Sequence, residues 1–156
     1  MPSGKRVYYD PQEPHLAAHL ATDPQLPALV SRYLRTTDFD EPLVEHEYDT
    51  GEVAGLTDET YVDDPGAIFY ARRLGYGTYT PFVHGTSQPS TFVSFCIAMN
   101  AEGDYELRSA WVGRQSPAFP DQPGAPPESR TYWATHALVF GAQPVDEATI
   151  TAVCPW

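Results

Sequence analysis

The fold is decided by residues 67–112, which read AIFYARRLGYGTYTPFVHGTSQPSTFVSFCIAMNAEGDYELRSAWV. Four apolar runs rich in Val, Phe and Tyr are separated here by short turns that contain glycine, serine or proline. This alternation is typical of β-strands, because branched and aromatic side chains suit a pleated surface and the turn residues interrupt it. We expect the four runs, at 67–74, 78–85, 90–99 and 104–113, to form an antiparallel meander.

Two of these runs carry further information about the sheet. Pro81 lies inside the second run and has no amide hydrogen, which predicts that this strand is at a sheet edge or at a bulge. In the fourth run, side chains of an uninterrupted strand alternate between the two faces. We therefore expect one face to carry Tyr105, Leu107, Ser109 and Trp111, and the other to carry Glu106, Arg108 and Ala110.

The segment before this stretch contains helical and acidic parts. Apolar residues recur at helical spacing through residues 11–35, and Asp23 stands where it could cap the second of two short helices. Residues 38–64 are dense in Asp and Glu, and short strands are expected within them at 43–48 and 60–62. An acidic surface of this kind could attract a basic protein partner.

The segment after residue 112 begins with a loop. Residues 115–130 contain five prolines, which predicts an extended connection, and loops of this length are often functional. The apolar run 132–140 predicts a final strand or a short helix, and the tail after Pro144 could add an edge strand. The expected fold is α+β, with N-terminal helices packed on a twisted antiparallel sheet.

Length and composition favour a single folded domain over residues 1–156, with a helical part at 1–37, an acidic connecting region at 38–64 and a sheet at 65–156. The chain is 42% hydrophobic and 19% charged, which is typical of a protein with a packed core. Its 156 residues are enough to bury one such core.

Charge and cysteine content restrict the partners and the compartment. The formal net charge of −12 argues against a general affinity for nucleic acids or anionic membranes. Residues 65–145 nevertheless hold five basic and five acidic side chains, so bound RNA remains possible there. No leader pattern and no long apolar segment is visible, so we expect no membrane association. Cys96 and Cys154 do not make a disulfide framework, which favours the cytoplasm, or export by a route not visible in the sequence.

Two histidines suggest a specific chemistry. Cleavage of RNA without a metal needs a base, an acid and a cation that stabilises the charged phosphorus intermediate. His84, at a strand end beside a turn, and His136, in an aromatic segment, could act as base and acid, with Arg108 and Ser109 completing the catalytic set. The structural alternatives are a turn histidine without a role at His84 and a buried core histidine at His136. The residues expected to contact substrate are Arg72, Arg73, Thr86, Trp111, Arg114, Tyr132 and Trp133.

The same half of the chain resembles a known group of enzymes. Its successive strands carry His, Arg and Ser or Thr, as in the barnase-like and EndoU-like bacterial ribonuclease toxins. The phrases YxLxSAWxG at 105–113 and YWxxHALV at 132–139 are also similar to small uncharacterised bacterial proteins. The first resemblance covers about residues 65–141 and implies a toxin-like hydrolase that cleaves RNA with general acid–base catalysis and no cofactor.

Three other functions remain open from the sequence. The aromatic loop could belong to a non-catalytic module that binds a small molecule or a protein. The tripeptide His84-Gly85-Thr86 is similar to the first motif of ADP-ribosyltransferases of the His-Tyr-Glu type, which bind NAD. That resemblance implies Tyr105 as the tyrosine and Glu128 or Glu147 as the glutamate.

A metal site is the third possibility. His15 and His19 have the i, i+4 spacing of zinc ligands on a helix, with Glu13 and Asp23 nearby. Because no third strong ligand is fixed by the sequence, we expect no metal.

Overall fold

The computed structural model describes all residues from 1 to 156 and has an α+β fold, as expected. The chain forms two compact units, each built from two segments. The first unit comprises 1–56 and 89–115, and the second comprises 57–88 and 116–156. In chain order the elements are β1 (Val7–Tyr8), α1 (Pro14–Thr22), α2 (Leu26–Leu34), β2 (Leu43–Asp49), β3 (Gly55–Thr57), β4 (Glu59–Tyr61), β5 (Phe69–Arg73), β6 (Tyr79–Val83), β7 (Gln88–Ser90), β8 (Phe92–Met99), β9 (Tyr105–Val112), α3 (Glu128–Trp133), β10 (His136–Val139) and β11 (Val145–Thr151).

The two N-terminal helices are confirmed, and each has a proline in its first two positions, Pro14 in α1 and Pro27 in α2. Pro14 opens α1, where the Glu13 carboxylate accepts a hydrogen bond from the Leu16 amide at 2.7 Å. In α2, Leu26, Val30 and Leu34 recur at every fourth position and are buried on one face. The prediction that Asp23 caps α2 is wrong. Asp23 is the C-cap of α1, where its backbone amide donates to the carbonyl oxygen of His19, and α2 begins without a side-chain cap.

The sheet of the first unit has the strand order β1-β9-β8-β2. Its main ladders are antiparallel, and only the short pairing of β1 with β9 is parallel. Helices α1 and α2 contact β9, and α2 also contacts β8. The buried core between helices and sheet contains Leu16, Leu26, Val30, Leu34, Val44, Val93, Phe95, Ile97, Tyr105, Leu107, Ala110 and Val112.

A bulge in β9 changes which side chains face this core. Leu107 pairs with Ile97, but Ser109 pairs with the next residue, Cys96, so Arg108 is an extra residue in the ladder. The alternation expected from the sequence therefore holds only as far as Leu107. Beyond the bulge, Ala110 and Val112 take the core face, and the prediction that Ser109 and Trp111 share a face with Leu107 is wrong.

The second unit contains a five-stranded sheet with the order β11-β5-β6-β10-β4. Strands β6 and β10 are parallel, and the other ladders are antiparallel. The four-stranded meander predicted for residues 67–113 is thus wrong in one respect. The hairpins β5–β6 and β8–β9 form as expected, but they belong to different sheets. A two-stranded ladder of β3 and β7 lies where the chain leaves and re-enters the first unit.

Pro81 lies in a central strand, so its predicted place at an edge or a bulge is wrong. It pairs with Tyr70 of β5 and is fully buried. On the other side of β6, the ladder to β10 involves Phe82 and Val83 and does not include Pro81. The missing amide hydrogen therefore removes no bond of that ladder.

Both faces of the second sheet are covered. One face buries Val62, Ile68, Tyr70, Val83 and Ala137, and the other buries Ala71, Phe82, Phe119, Trp133 and Leu138. The proline-rich segment supplies Phe119 to the second cluster and ends where α3 begins at Glu128, before the predicted boundary at Arg130. The run 132–140 holds both predicted alternatives, the end of α3 and then β10, and β11 forms the expected edge strand.

The buried apolar residues thus form separate clusters in the two units, whereas length alone suggests one core. The short strands expected within the acidic region are present as β2 and β4, so this region is part of both sheets. None of the helices is long and apolar enough to cross a bilayer. Cys96 and Cys154 are free thiols.

Candidate functional site

Four polar side chains of the second unit converge at the edge of its sheet. Glu59 opens the edge strand β4, and His136 opens the neighbouring strand β10. Because His136 pairs with Tyr61, and Glu59 lies two residues before Tyr61, Glu59 and His136 are on the same face of the sheet. Ser116 and Tyr132 complete the group, which we call the Glu59 cluster.

The carboxylate of Glu59 is largely buried and is held by two hydroxyl groups. The Ser116 hydroxyl donates to Oε2, and the Tyr132 hydroxyl donates to Oε1. Burial raises the pKa of Glu59 above its ordinary value, and the two hydrogen bonds and the nearby His136 oppose this rise. A carboxyl group of this kind can gain or lose a proton closer to neutral pH than an exposed one.

Burial, followed by the bond to Glu59 and its charge, raises the pKa of Tyr132. Tyr132 therefore stays protonated and acts as a hydrogen-bond donor. Its ring also stacks on the imidazole of His136, with centroids 3.9 Å apart and planes 9° from parallel. One side chain thus orients both titratable groups of the cluster.

The contacts of His136 determine which nitrogen is available. Its Nδ1 lies 2.9 Å from the carbonyl oxygen of Tyr132. Because a carbonyl oxygen only accepts, Nδ1 carries the hydrogen in this arrangement, and in the neutral ring Nε2 is the acceptor. The ring of Tyr61 meets the imidazole edge-on at 5.5 Å. His136 is half-buried, so it is neither the fully buried core residue nor a free surface histidine.

His84 does not join this cluster. It is exposed directly after β6, as predicted, and its ring packs against Phe69 and Phe140 at 5.0 and 5.2 Å. Val83 is level with Val139 in the β6–β10 ladder, so His84 and His136 are about four residues apart along the strands, or about 13 Å. One phosphodiester group is too small to contact both rings at that separation.

The other two residues of the predicted catalytic set belong to the first unit. Arg108 is exposed at the bulge of β9 and forms an ion pair with Glu106 at 2.6 Å. Ser109 is buried, and its hydroxyl has no hydrogen-bond partner. The four predicted catalytic residues are therefore not all in one unit.

Of the predicted substrate contacts in the second unit, Tyr132 is in the cluster and two others are buried. Trp133 is 2% exposed, and its Nε1 donates to the carbonyl oxygen of Pro117 at 2.9 Å. Arg73 is buried between the rings of Tyr76 and Phe119, with its Nη1 bonded to Gln143. Neither side chain presents a free surface to substrate, because its contacts are made within the protein.

The remaining predicted contacts are dispersed. Arg72 is exposed, with its guanidinium 4.9 Å from the ring centroid of Tyr79, and Thr86 is exposed beside Gln88. Trp111 and Arg114 lie in the first unit. There Arg114 is paired with Glu47 at 3.1 Å, and Trp111 donates through Nε1 to the carbonyl oxygen of Arg114.

The residues that the ADP-ribosyltransferase resemblance and the His15/His19 zinc spacing imply do not form a site either. Tyr105 is fully buried in the first unit, where its hydroxyl donates to main-chain carbonyl groups, so it cannot contact NAD. Glu128 and Glu147 are exposed in the second unit. His15 and His19 meet edge-on at 5.0 Å on α1, and no group of three His, Cys, Asp or Glu side chains is arranged to hold a metal ion.

Sequence reasoning missed Glu59 and Ser116. Glu59 lies in a run of acidic residues that indicates an exposed surface, and Ser116 lies in the proline-rich loop. The available signal was the alternation of Glu59 and Tyr61 beside buried Val62 in a short strand, which places a carboxylate on a face of the sheet. That signal does not identify the partner strand.

Comparison of the chain with models of known protein families, with curated proteins and with solved structures finds no match.

Proposed function

We propose that the second unit is a metal-independent ribonuclease that cleaves RNA by general acid–base transesterification at Glu59 and His136. The observation that supports this proposal is the buried carboxyl group of Glu59, with its raised pKa, close to an imidazole oriented through Nδ1. Two titratable groups that can carry a proton at adjacent positions are what this reaction requires.

In the proposed reaction Glu59 is the general base and His136 is the general acid. The Glu59 carboxylate takes the proton of the ribose 2′-hydroxyl, and the O2′ atom forms a bond to phosphorus. The bond from phosphorus to O5′ breaks, and the His136 imidazolium gives the Nε2 proton to the leaving oxygen. The products are a 2′,3′-cyclic phosphate and a free 5′-hydroxyl, so atoms and charge balance without a co-reactant.

Positive charge for the phosphate would come from Arg130, which is exposed on α3 two residues before Tyr132. The unit's other two arginines are excluded: Arg73 is buried, and Arg72 lies on the opposite face of the sheet from Glu59. An exposed guanidinium can bind a phosphate with two parallel hydrogen bonds. The Ser116 and Tyr132 hydroxyl groups hold Glu59 and are positioning residues in this proposal.

The test is incubation of the purified chain with mixed transfer and ribosomal RNA in the presence of EDTA, followed by sequencing of the fragment ends. We expect discrete cleavage with cyclic phosphate ends, and a loss of at least about 100-fold in rate for both Glu59→Gln and His136→Ala. RNA with a 2′-deoxy substitution at the cleaved position should be resistant, because the nucleophile is absent.

Matched controls come from the same unit. Glu128→Gln and His84→Ala change an exposed carboxylate and an exposed imidazole outside the cluster, so both variants should keep wild-type cleavage. Circular dichroism and thermal unfolding establish that each variant is folded. The proposal fails if no cleavage occurs at micromolar protein, or if cleavage survives in folded Glu59→Gln and His136→Ala.

A further inference from the structure

The first unit contains a cavity of about 550 Å³ that the proposed function does not use. It lies between the N-terminal segment that carries β1, the helix α2 and the strand β9. Its volume is within the range of about 300–1,000 Å³ that small-molecule sites occupy. The cavity is therefore large enough for an organic ligand.

One wall of the cavity is apolar. Pro27, Val30 and Leu34 lie along one side of α2 at a spacing of three or four residues and line it from the helix. Leu107 of β9 lines it from the sheet. Val30, Leu34 and Leu107 belong to the core of the first unit and are at most 5% exposed, so this wall is the edge of that core and offers a ligand a small apolar surface.

The rest of the lining is cationic. Lys5, Arg6 and Arg35 line the cavity, and no Asp or Glu does. The chain as a whole has 21 acidic and only nine basic side chains. The cavity lining, with three basic and no acidic side chains, has the opposite charge balance. Because Lys5 and Arg6 are paired with carboxylates outside the lining, the uncompensated positive charge at the cavity is that of Arg35.

Arg35 is the free cation of this set. Lys5 is already paired with Asp40 at 2.7 Å, and Arg6 with Asp104 at 2.8 Å. Both pairs hold the basic side chains in place but reduce their net charge. Arg35 is exposed at the end of α2 and has no ion-pair partner. An incoming carboxylate can therefore bind its guanidinium without displacing an existing bond.

We propose that this cavity binds an amphipathic organic monoanion, with an apolar chain or ring against α2 and β9 and a carboxylate at Arg35. The site is separate from the Glu59 cluster, which belongs to the other unit, and does not depend on the proposed ribonuclease activity. Its specificity is the combination of an apolar body and a single negative charge. Neutral and cationic ligands of the same length lack the negative charge that would bind Arg35.

The experiment is isothermal titration calorimetry of the full chain at low ionic strength with three probes whose unbranched alkyl chains are of nearly equal length. Octanoate should bind at one saturable site. Octan-1-ol should bind at least about tenfold more weakly, because one charge-assisted hydrogen bond contributes about that factor, and octyltrimethylammonium should not bind. Equal affinities for octanoate and octan-1-ol, or no saturable octanoate binding at millimolar concentration, would overturn the proposal.

Variants of α2 locate the binding site. Arg35→Gln should weaken octanoate binding about tenfold and leave the weak binding of octan-1-ol unchanged, whereas Arg35→Lys keeps the charge and should bind within about threefold of wild type. Arg32→Gln is the matched control, because Arg32 is an exposed arginine on the same helix outside the cavity lining. If Arg32→Gln weakens binding as much as Arg35→Gln, the carboxylate is not bound in this cavity.

Discussion

Glu59 links the stability of the protein to pH at the scale of a single residue. Burial raises its folded-state pKa above the reference value of 4.5, so the folded state binds more protons than the unfolded state between those two values. The contribution of Glu59 to the free energy of unfolding is therefore greatest below its unfolded-state pKa, and it is lost as pH rises through its folded-state pKa. The carboxylate is thus held in the fold at a free-energy cost near neutral pH.

Glu59→Gln should remove this dependence. The amide keeps the size of the side chain and can still accept a hydrogen bond from Ser116 or Tyr132, but it does not titrate. Urea unfolding from about pH 4 to about pH 8 should therefore show that the free energy of unfolding of wild type, relative to the variant, falls as pH rises. Asp23, whose pKa burial also raises, is common to both proteins and cancels in the difference. A constant difference would contradict the burial of Glu59.

Tyr132→Phe tests the hydrogen bond to Glu59 separately. The change keeps the ring stacked on His136 and removes only the hydroxyl donor that stabilises the Glu59 carboxylate. The pKa of Glu59 should rise further, as measured by carboxyl carbon chemical shifts in an NMR titration. Tyr61→Phe is the control, because Tyr61 contacts the same imidazole through its ring and should leave the Glu59 titration unchanged.

Packing between elements leaves no room for a side chain at Gly55. A Cβ atom there would lie 2.5 Å from Oδ1 of Asp23, at the junction of α1 and α2, and 2.9 Å from Cγ2 of Val112 in β9. Gly55→Ala should lower the free energy of unfolding by about 1–3 kcal/mol, because Asp23 and Val112 are both buried and must shift. Chemical denaturation measures this loss.

Gly77→Ala is the matched control for that change. A Cβ atom at Gly77 would meet nothing within 4 Å, and its φ angle is not positive. The same substitution there should change the free energy of unfolding by less than about 1 kcal/mol. If the two variants are equally stable, the close packing of Gly55 against the helix junction is not as described.

The strands themselves follow from local sequence, but their partners do not. Apolar runs and turn residues predict β5, β6, β8 and β9 near their observed positions, because both signals act within a few residues. The division of the two hairpins between sheets depends on β4, β10 and β11, which are distant in sequence. The bulge at Arg108 is similarly invisible, since the residues around it alternate in an ordinary way and only the ladder with β8 shows the extra residue.

For the whole molecule, the interleaving of the two units predicts the behaviour of a truncated chain. Residues 1–115 contain both segments of the first unit but lack β10, β11 and α3 of the second. The fragment leaves β5 and β6 as an isolated hairpin, which is marginal in water. We expect dispersed amide NMR signals for β2, β8 and β9, and random-coil shifts for residues 57–88.

The full chain is the reference for this experiment and should show dispersed signals in both regions. Random-coil shifts throughout the fragment would mean that the first unit does not fold without residues 116–156. Dispersed shifts for residues 57–88 in the fragment would mean that β5 and β6 are stabilised without their partners β10 and β11.

Local sequence is enough to predict the helices α1 and α2, most of the strands, the loop before α3 and the α+β class, because propensity, periodicity and turn chemistry are local properties of the chain. It also identified His136 and Tyr132 as residues of interest. Three further features are visible only in the folded protein: Glu59 and Ser116 join these two residues, His84 lies about 13 Å away along the sheet, and Trp133 and Arg73 are buried. These features depend on strand order and register. Both are set by contacts between segments far apart in sequence, so neither can be predicted from the sequence of any single segment.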